Sequence, residues 1–390
     1  MKNLYVKALA LIAIAVTLAS IVPLSKAQSS DSTVTFLVQN KPDSDTTYKL
    51  TITVPASLYQ YYASRGGLIF SDSDFAKFVT PDTLKPVADQ LWQVCNNSED
   101  FTNAVLMLVH QINYQEIVPS EYPIQTLVEN KGDCDLFVTI AASILEAGGI
   151  NCVLIYYKDQ SHMQLGVQLP QAPINGRVNV VSVTYQSASY YIGECTGGQW
   201  RTGWRVGECS KEYQGVSGVV IPLPTHEQTY VGQVSATIRP LDPSTLSLQV
   251  SSGFMLENNQ VTISGQILPA TANENVTLKA KINSDTYTDL ATVATQADGS
   301  FQYTWTPPTS GFISVQASWV GNNQLNGAKS GEASMTVLPL FVIGAIATSV
   351  LAVAIVAVAV VRSKHKKREL APPSVSMPST EPPPPPTTTP

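Results

Sequence analysis

The chain has 390 residues, which is long enough for two domains with separate hydrophobic cores. Charged residues make up only 13% of it and the formal net charge is -6, so the sequence lacks the basic surface that nucleic-acid-binding proteins use. We therefore predict no nucleic-acid partner.

The first 27 residues have the composition of a secretory signal peptide. Two lysines precede an apolar run over residues 8–22, and small residues at Ser25 and Ala27 allow cleavage before Gln28. An uncleaved anchor helix is the alternative, although this run is shorter than the ~20 residues that span a bilayer. We expect the chain from Gln28 onward to be exported.

A second apolar run extends from Leu340 to Val361 and is followed at once by basic residues, beginning with Arg362. About 22 helical residues give a length of roughly 33 Å, enough to cross the hydrocarbon of a bilayer. Positive flanking charge marks the cytoplasmic side. We predict a single transmembrane helix over residues 338–361 that contacts the lipid bilayer, with a buried core helix as the alternative. The basic, proline-rich segment 362–390 is then a cytoplasmic tail with an unknown partner.

The region before this run divides into three parts. Alternating apolar residues predict strands in residues 28–58. Helical spacing followed by short apolar runs predicts an α+β domain over residues 59–240. Residues 241–337 show repeated short alternating runs, which are typical of an all-β sandwich. The stretch Asp298 to Pro308 in the third part resembles the DGSF and WTPP signature of prokaryotic immunoglobulin-like surface domains, which implies a spacer or adhesion role.

The sequence Gly132-Asp133-Cys134-Asp135 opens an apolar run that ends at Gly148-Gly149. We predict a buried helix with Cys134 at its first position and Asp133 as the N-cap, its side chain turned toward its own helix. A helix start stabilises a thiolate, whereas the two flanking carboxylates oppose it. Reactivity of this cysteine therefore requires a partner base.

A base and an orienting carboxylate follow along the chain. His162 begins a predicted strand, and Glu194 ends a later one, so both can lie beside Cys134. His110 lies on an apolar helix and is expected to be a core residue, and His226 falls in a proline-rich joint. We predict a catalytic triad of Cys134, His162 and Glu194.

Five cysteines leave at least one thiol unpaired. Two disulfides are candidates, Cys195 with Cys209 and Cys95 with Cys152, and Cys134 is then the free thiol. The alternative is that all five are reduced. No close cysteine and histidine spacing indicates a metal site, and no cofactor is predicted.

Three stretches together resemble the transglutaminase-like superfamily, which has a papain-like cysteine-enzyme core. They lie within Phe70 to Glu208 and are Tyr122 to Leu127 with Gly132 to Asp135, His162 to Val167, and Tyr190 to Thr196 with Gly203 to Glu208. The resemblance implies that these stretches carry the nucleophile, the histidine and the carboxylate. Glu194 stands where much of the superfamily has aspartate, so its side chain is longer by one methylene.

The predicted function is a membrane-anchored cell-surface cysteine enzyme that acts on amide bonds of protein or peptide substrates. The acyl-enzyme then transfers its acyl group to an amine, which is amine transfer, or to water, which is deamidation or peptide hydrolysis. The backbone N–H of Cys134, with Gln125, is expected to stabilise the oxyanion. Trp200 and Trp204 are candidates for lining an acceptor groove, or are packing residues. The alternative function is a non-catalytic binding or adhesion module.

Overall fold

The computed structural model describes residues 30–223 and 231–369, apart from the side chains of 343–347 and 365–369. The predicted signal peptide, His226 and the proline-rich end of the chain lie outside the described residues. The chain divides into two compact units. The first contains the described residues up to Thr245 together with Ser318–Lys329, and the second contains Leu246–Ala317 and the residues from Ser330 onward.

Strands outnumber helices in the described residues, with 35% of residues in strands against 27% in helices. Its strands form five sheets in the described ranges. The predicted fold class, an α+β transglutaminase-like domain with an immunoglobulin-like sandwich and one transmembrane helix, is therefore wrong. Helical spacing is a strong signal over 12 or so residues, whereas strands of two to six residues leave little periodicity to detect. Strands such as Val219–Pro222 and Ser235–Pro240 were not predicted for this reason.

Six helices occur in the described ranges. They are α1 (Ala56–Ala63), α2 (Pro81–Trp92), α3 (Ser98–Val109), α4 (Pro123–Glu129), α5 (Cys134–Ala147) and α6 (Leu340–Glu369). Local signals explain where several of them begin. Proline occupies the first position of α2 and α4, where its missing N–H costs nothing. The side chain of Asn97 caps α3 by accepting a 2.9 Å hydrogen bond from the Asp100 N–H.

The first ten strands belong to the first unit. They are β1 (Ser32–Gln39), β2 (Thr47–Val54), β3 (Asn113–Tyr114), β4 (Lys131–Gly132), β5 (Cys152–Tyr157), β6 (His162–Val167), β7 (Ser182–Tyr185), β8 (Ala188–Gly193), β9 (Val219–Pro222) and β10 (Ser235–Pro240). The longest sheet here has the order β7-β8-β6-β5-β9 and is antiparallel throughout. Helix α5 packs against its central strands and is buried over almost its whole circumference. A smaller antiparallel sheet has the order β1-β2-β10.

The remaining strands form two further sheets. They are β11 (Thr245–Val250), β12 (Phe254–Leu256), β13 (Val261–Leu268), β14 (Asn275–Ile282), β15 (Thr288–Ala294), β16 (Ser300–Trp305), β17 (Gly311–Gly321), β18 (Asn326–Lys329) and β19 (Ala333–Leu338). One sheet has the order β11-β13-β16, and the other β12-β19-β17-β14-β15 with β18 beside β17. Buried residues alternate along these strands, as in Val261 and Ile263 or Met335 and Val337. This period of two is what a sheet with one covered face requires.

No helix in the described part of the chain is long and apolar enough to cross a membrane. The predicted transmembrane helix from Leu340 to Val361, its contact with the lipid bilayer and the single-pass localisation are therefore wrong.

Candidate active site

Cys134 is the first residue of α5, as the sequence predicts. The short parallel pair β3 and β4 aligns Tyr114 with Gly132 and so fixes the chain just before the cysteine. Gly132 is required by close packing, since a Cβ there would lie 2.9 Å from a methyl carbon of Thr126. The thiol is only partly buried, and its sulfur lies 4.0 Å from the carbonyl oxygen of Ser161. The nucleophile candidate is therefore rigidly held and accessible.

His162 begins β6 and lies between Cys134 and Glu194. Its Nε2 is 2.9 Å from the Oε2 of Glu194, and its side chain also hydrogen-bonds to Cys134. Because Nε2 is used by the carboxylate, Nδ1 is the nitrogen that faces the thiol. Burial lowers the pKa of His162, but the hydrogen bonds to Cys134 and Glu194 outweigh it and raise that pKa to about 9. The ring is therefore an imidazolium at neutral pH.

Glu194 follows the last residue of β8 and is 3% exposed. Its Oε2 accepts a second hydrogen bond, 2.7 Å long, from the Nε2 of Gln164, and its Oε1 accepts from the Thr196 N–H at 2.8 Å and the Thr196 hydroxyl at 2.6 Å. Burial raises the pKa of Glu194, but His162 and Thr196 outweigh it, so the net direction is downward. The carboxylate is thus held charged, with both oxygens fixed.

The backbone of Glu194 is fixed as well. His110, the residue after α3, donates through Nε2 to the Glu194 carbonyl oxygen at 3.0 Å. Burial lowers the pKa of His110, so this ring is neutral. The ring has a hydrogen-bond partner, but it is only partly buried, so the prediction of a core residue is wrong, and its position beside Glu194 was not predicted.

Two tyrosines flank the site. The ring of Tyr213 stacks on the imidazole of His162 with a centroid separation of 4.7 Å and an interplanar angle of 26°. Tyr114 lies on β3, beside the strand β4 that leads into Cys134. Burial is the larger cause that raises the pKa of the Tyr114 phenol, and the charge of Cys134 is the next. Sequence analysis missed Tyr213 because 51 positions separate it from His162. Gln164 could have been predicted as a neighbour of His162, because residues two apart in a strand project from the same face.

The prediction that Asp133 caps its own helix is wrong. Its Oδ2 accepts the Ile117 N–H at 2.9 Å, and its side chain forms no capping hydrogen bond with an N–H of α5. Asp135 accepts the Ser120 hydroxyl at 2.8 Å and also hydrogen-bonds to Asp133. Burial and the neighbouring Asp133 raise the pKa of Asp135 to about 7. The loop before α4 provides these partners, and sequence spacing gives no sign of that tertiary contact.

We expect Asp135→Asn to stabilise the protein at pH 8 and to leave its stability almost unchanged at pH 4. The folded pKa of Asp135 lies above the ordinary value of 3.8, so its favourable contribution is present below about pH 4 and is lost as pH rises through about 7. Asparagine retains an acceptor for Ser120 and supplies a permanent donor to Asp133. The gain should be on the order of 1 to 2 kcal/mol at pH 8.

Urea unfolding from pH 4 to pH 8 measures this effect. The control is Glu116→Gln, which removes an exposed carboxylate from the same loop. A gain that is equal in both variants, or that is independent of pH, would show that Asp133 and Asp135 do not share a proton.

All five cysteines are free thiols, so the predicted disulfides Cys195 with Cys209 and Cys95 with Cys152 are wrong. Cys195 belongs to the main core, whereas Cys209 packs in a separate cluster with Val153 and Ile155. The thiols of Cys152 and Cys195 lie against the carbonyl oxygens of Ile150 and Gly193, at 3.4 and 3.6 Å. The cysteine count alone did not determine these positions. Cys134 differs from the other four thiols in being partly accessible.

The weaker site candidates lie elsewhere. Gln125 accepts the Tyr122 N–H at 3.1 Å and so caps the start of α4. Trp200 lines a groove with His110, and the guanidinium of Arg201 lies 4.5 Å from its ring centroid. Trp204 packs beside Gly197. In the described ranges, no contact brings any of these three residues against Cys134, His162 or Glu194.

Three or more metal-ligating side chains do not cluster anywhere in the residues that the structure describes. The trio itself offers one thiol, one imidazole that is charged at neutral pH and one carboxylate engaged by four hydrogen-bond donors. The arrangement is suited to proton transfer and nucleophilic attack.

No protein-family model matches the chain. No curated protein matches it either. Matching solved structures include the D0-D1 domain of intimin, with 13% identity over 45% of this chain and 89% of that chain and a TM-score of 0.19. A CARDB domain from Pyrococcus furiosus in complex with metal ions is 16% identical over 24% of this chain and 87% of that chain, with a TM-score of 0.17.

A third match is an alkylpurine DNA glycosylase from Pseudomonas fluorescens bound to DNA that contains an abasic-site analogue. It is 11% identical over 25% of this chain, with a TM-score of 0.19, and the match spans only 30% of the glycosylase. At these TM-scores none of the three likenesses carries an argument about fold or function.

Proposed function

We propose that this protein is a cysteine enzyme that cleaves amide bonds through an acyl-enzyme, as its resemblance to the transglutaminase-like superfamily suggests. The observation that carries the proposal is the double engagement of His162, by Cys134 on one side and by Glu194 at 2.9 Å on the other. A nucleophile, a base and an orienting group in hydrogen-bond sequence form the minimum apparatus for acyl transfer.

The reaction follows from this arrangement. The thiol proton resides on His162, and the Cys134 thiolate attacks the carbonyl carbon of a carboxamide or peptide bond. His162 then gives its proton to the departing nitrogen, so the C–N bond breaks and a thioester remains. Water or a primary amine next gives a proton back to His162 as it attacks the thioester, and Cys134 is released as the thiolate. Glu194 holds the ring in place throughout.

Oxyanion stabilisation is available from the helix start. The N–H of Cys134 belongs to the first turn of α5, where N–H groups have no intrahelical partner. The phenol of Tyr114 lies close enough for the charge of Cys134 to raise its pKa, so it remains a hydrogen-bond donor at neutral pH. We propose that these two groups donate hydrogen bonds to the oxyanion that develops on the substrate carbonyl. Gln125 is less suited because the hydrogen bond from the Tyr122 N–H to its carboxamide oxygen holds its side chain at the start of α4.

Mass spectrometry of glutamine-containing peptides, incubated with the full chain and a primary amine, tests the proposal. Amine incorporation, a gain of about 1 Da from deamidation, and chain cleavage are distinguished in one spectrum. All three must be abolished in Cys134→Ala, which keeps the fold because the site is partly exposed. Product that forms equally with the wild type and Cys134→Ala would overturn the proposal.

Tyr213 should act as a positioning residue for His162. We expect Tyr213→Phe, which retains the stacked ring, to keep activity within about twofold, and Tyr213→Ala to lower kcat about tenfold with little change in KM. The imidazole would then be less well aligned between Cys134 and Glu194. Steady-state kinetics measures both values, and the pH at which His162 titrates should shift only in the alanine variant. Equal losses in the two variants would assign the effect to the hydroxyl instead.

A further inference from the structure

Strand β1 is an edge of its sheet. It pairs only with β2 in the described ranges, because the sheet order is β1-β2-β10. The main-chain groups on its outer side therefore need partners of another kind. At one position such a partner exists: the carboxamide of Gln111 donates to the Leu37 carbonyl oxygen at 2.8 Å and accepts the Leu37 N–H at 2.9 Å. The side chain thus occupies the place of a neighbouring strand.

This contact fixes which groups of β1 point outward. In an antiparallel pair, residues alternate between those that bond to the partner strand and those that face away from it. Leu37 faces away from β2, so Thr35, two residues earlier, faces away as well. The outward N–H of Gln39, which lies 3.5 Å from the sulfur of Met107, follows the same alternation. The N–H and C=O of Thr35 therefore point out of the sheet.

The outward groups of Thr35 open into a groove. Its volume is about 860 Å³, and its walls include residues 34–37 of β1, Lys49, His110 and the loop at Gly198–Trp200. None of Cys134, His162 and Glu194 lines it. The side chain of Thr35 is exposed. The groove is therefore an accessible space next to unpaired main chain and lies apart from the candidate catalytic residues.

The charge of the groove indicates the chemistry of the ligand that it would bind. Lys49 is aligned with Leu37 on one side and with Arg239 on the other, and directly opposed residues project from the same sheet face. Neither cation forms an ion pair in the part of the chain that the structure describes. Among the described residues that line the groove, Lys49 is the one ionised side chain, so the groove carries positive charge.

We propose that this groove, bounded by Thr35, Lys49 and Trp200, binds an extended peptide segment with an acidic side chain by adding it as a strand to the edge of β1. Main-chain hydrogen bonds to Thr35 supply the affinity, and Lys49 selects the acidic residue. The groove is a second binding site and does not depend on the proposed amide chemistry.

Fluorescence anisotropy with the full chain tests this. The probe is fluorescein-labelled Gly-Thr-Val-Asp-Val-Thr amide. Its matched partner is N-methylated at each residue of the Val-Asp-Val stretch, which removes those N–H donors and leaves the side chains. We expect the N-methylated peptide to bind at least about tenfold more weakly. Thr35→Pro, which removes one outward N–H without breaking the pairing with β2, should have a similar effect. Thr35→Val keeps that N–H and should bind like the wild type.

Further measurements complete the test. Lys49→Gln should weaken the aspartate peptide about threefold and leave its asparagine counterpart unchanged. Binding should persist in Cys134→Ala, which separates it from turnover. Equal binding of the N-methylated and unmodified peptides overturns the proposal, and so does no binding at 1 mM peptide. Sedimentation that shows a dimer of the wild type and a monomer of Thr35→Pro would also overturn it, because a second copy would then be the occupant.

Discussion

Replacing His162 by alanine should slow the alkylation of Cys134 by iodoacetamide about 30-fold at pH 7. The imidazolium of His162, whose pKa is raised to about 9, stabilises the thiolate that reacts with the reagent. Without it, the positive charge that favours the nucleophilic thiolate is lost. The rate is measured by mass spectrometry of the peptide that contains Cys134.

The other four cysteines are internal standards for this measurement. Burial raises the pKa of Cys95 to about 12 and of Cys209 to about 11, and it raises the pKa of Cys152 and Cys195 as well. They should stay unlabelled in the folded wild type and variant, and labelling of them would reveal unfolding. His162→Gln, which keeps a polar side chain of similar size, serves as a second variant. Equal labelling rates of Cys134 in wild type and both variants would contradict the ion pair.

Glu194→Gln is expected to lower kcat about 100-fold and to lower the pKa of His162 from about 9 toward 6.5. The variant removes the charge that helps hold the proton on His162. It also places an amide where the carboxylate accepts from Gln164 and Thr196, so one donor must face another. Loss of stability by about 2 kcal/mol should accompany this. NMR titration of the His162 ring in the wild type and in Glu194→Gln follows the pKa.

The dependence of stability on pH provides a second readout. The folded pKa of His162 is raised, so its favourable contribution is complete below about pH 6.5 and is lost as pH rises through about 9. The difference in stability between wild type and Glu194→Gln should therefore narrow over that interval. A difference that stays constant from pH 6 to pH 9.5 would mean that His162 does not titrate against Glu194.

Glu208→Gln is the matched control. Glu208 is another buried carboxylate of the same unit, 1% exposed, and its Oε2 pairs with Arg177 at 2.5 Å. The variant should lose stability as Glu194→Gln does, while the titration of His162 and the value of kcat stay near those of the wild type. If Glu208→Gln also lowers kcat about 100-fold, the effect of Glu194 is one of general destabilisation.

Several local features could be predicted from sequence because each depends on neighbouring residues. The helix that begins at Cys134 follows from apolar spacing and a terminal glycine pair, and the strand that begins at His162 follows from a short apolar run after a turn. The chain order of Cys134, His162 and Glu194 then suggested one site, and the structure brings the three side chains together. Helix and strand periodicity sufficed here because each element is buried on a regular face.

The sequence by itself therefore determined the nucleophile's place at a helix start and the candidate base and carboxylate. Tertiary structure decided what surrounds them. Asp133 turns to Ile117 and away from its own helix, and Tyr213 stacks on His162. All five thiols remain free, and the free edge of β1 borders a groove. These features depend on which distant segments meet, and composition and periodicity carry no information on distances between residues that lie far apart in the chain.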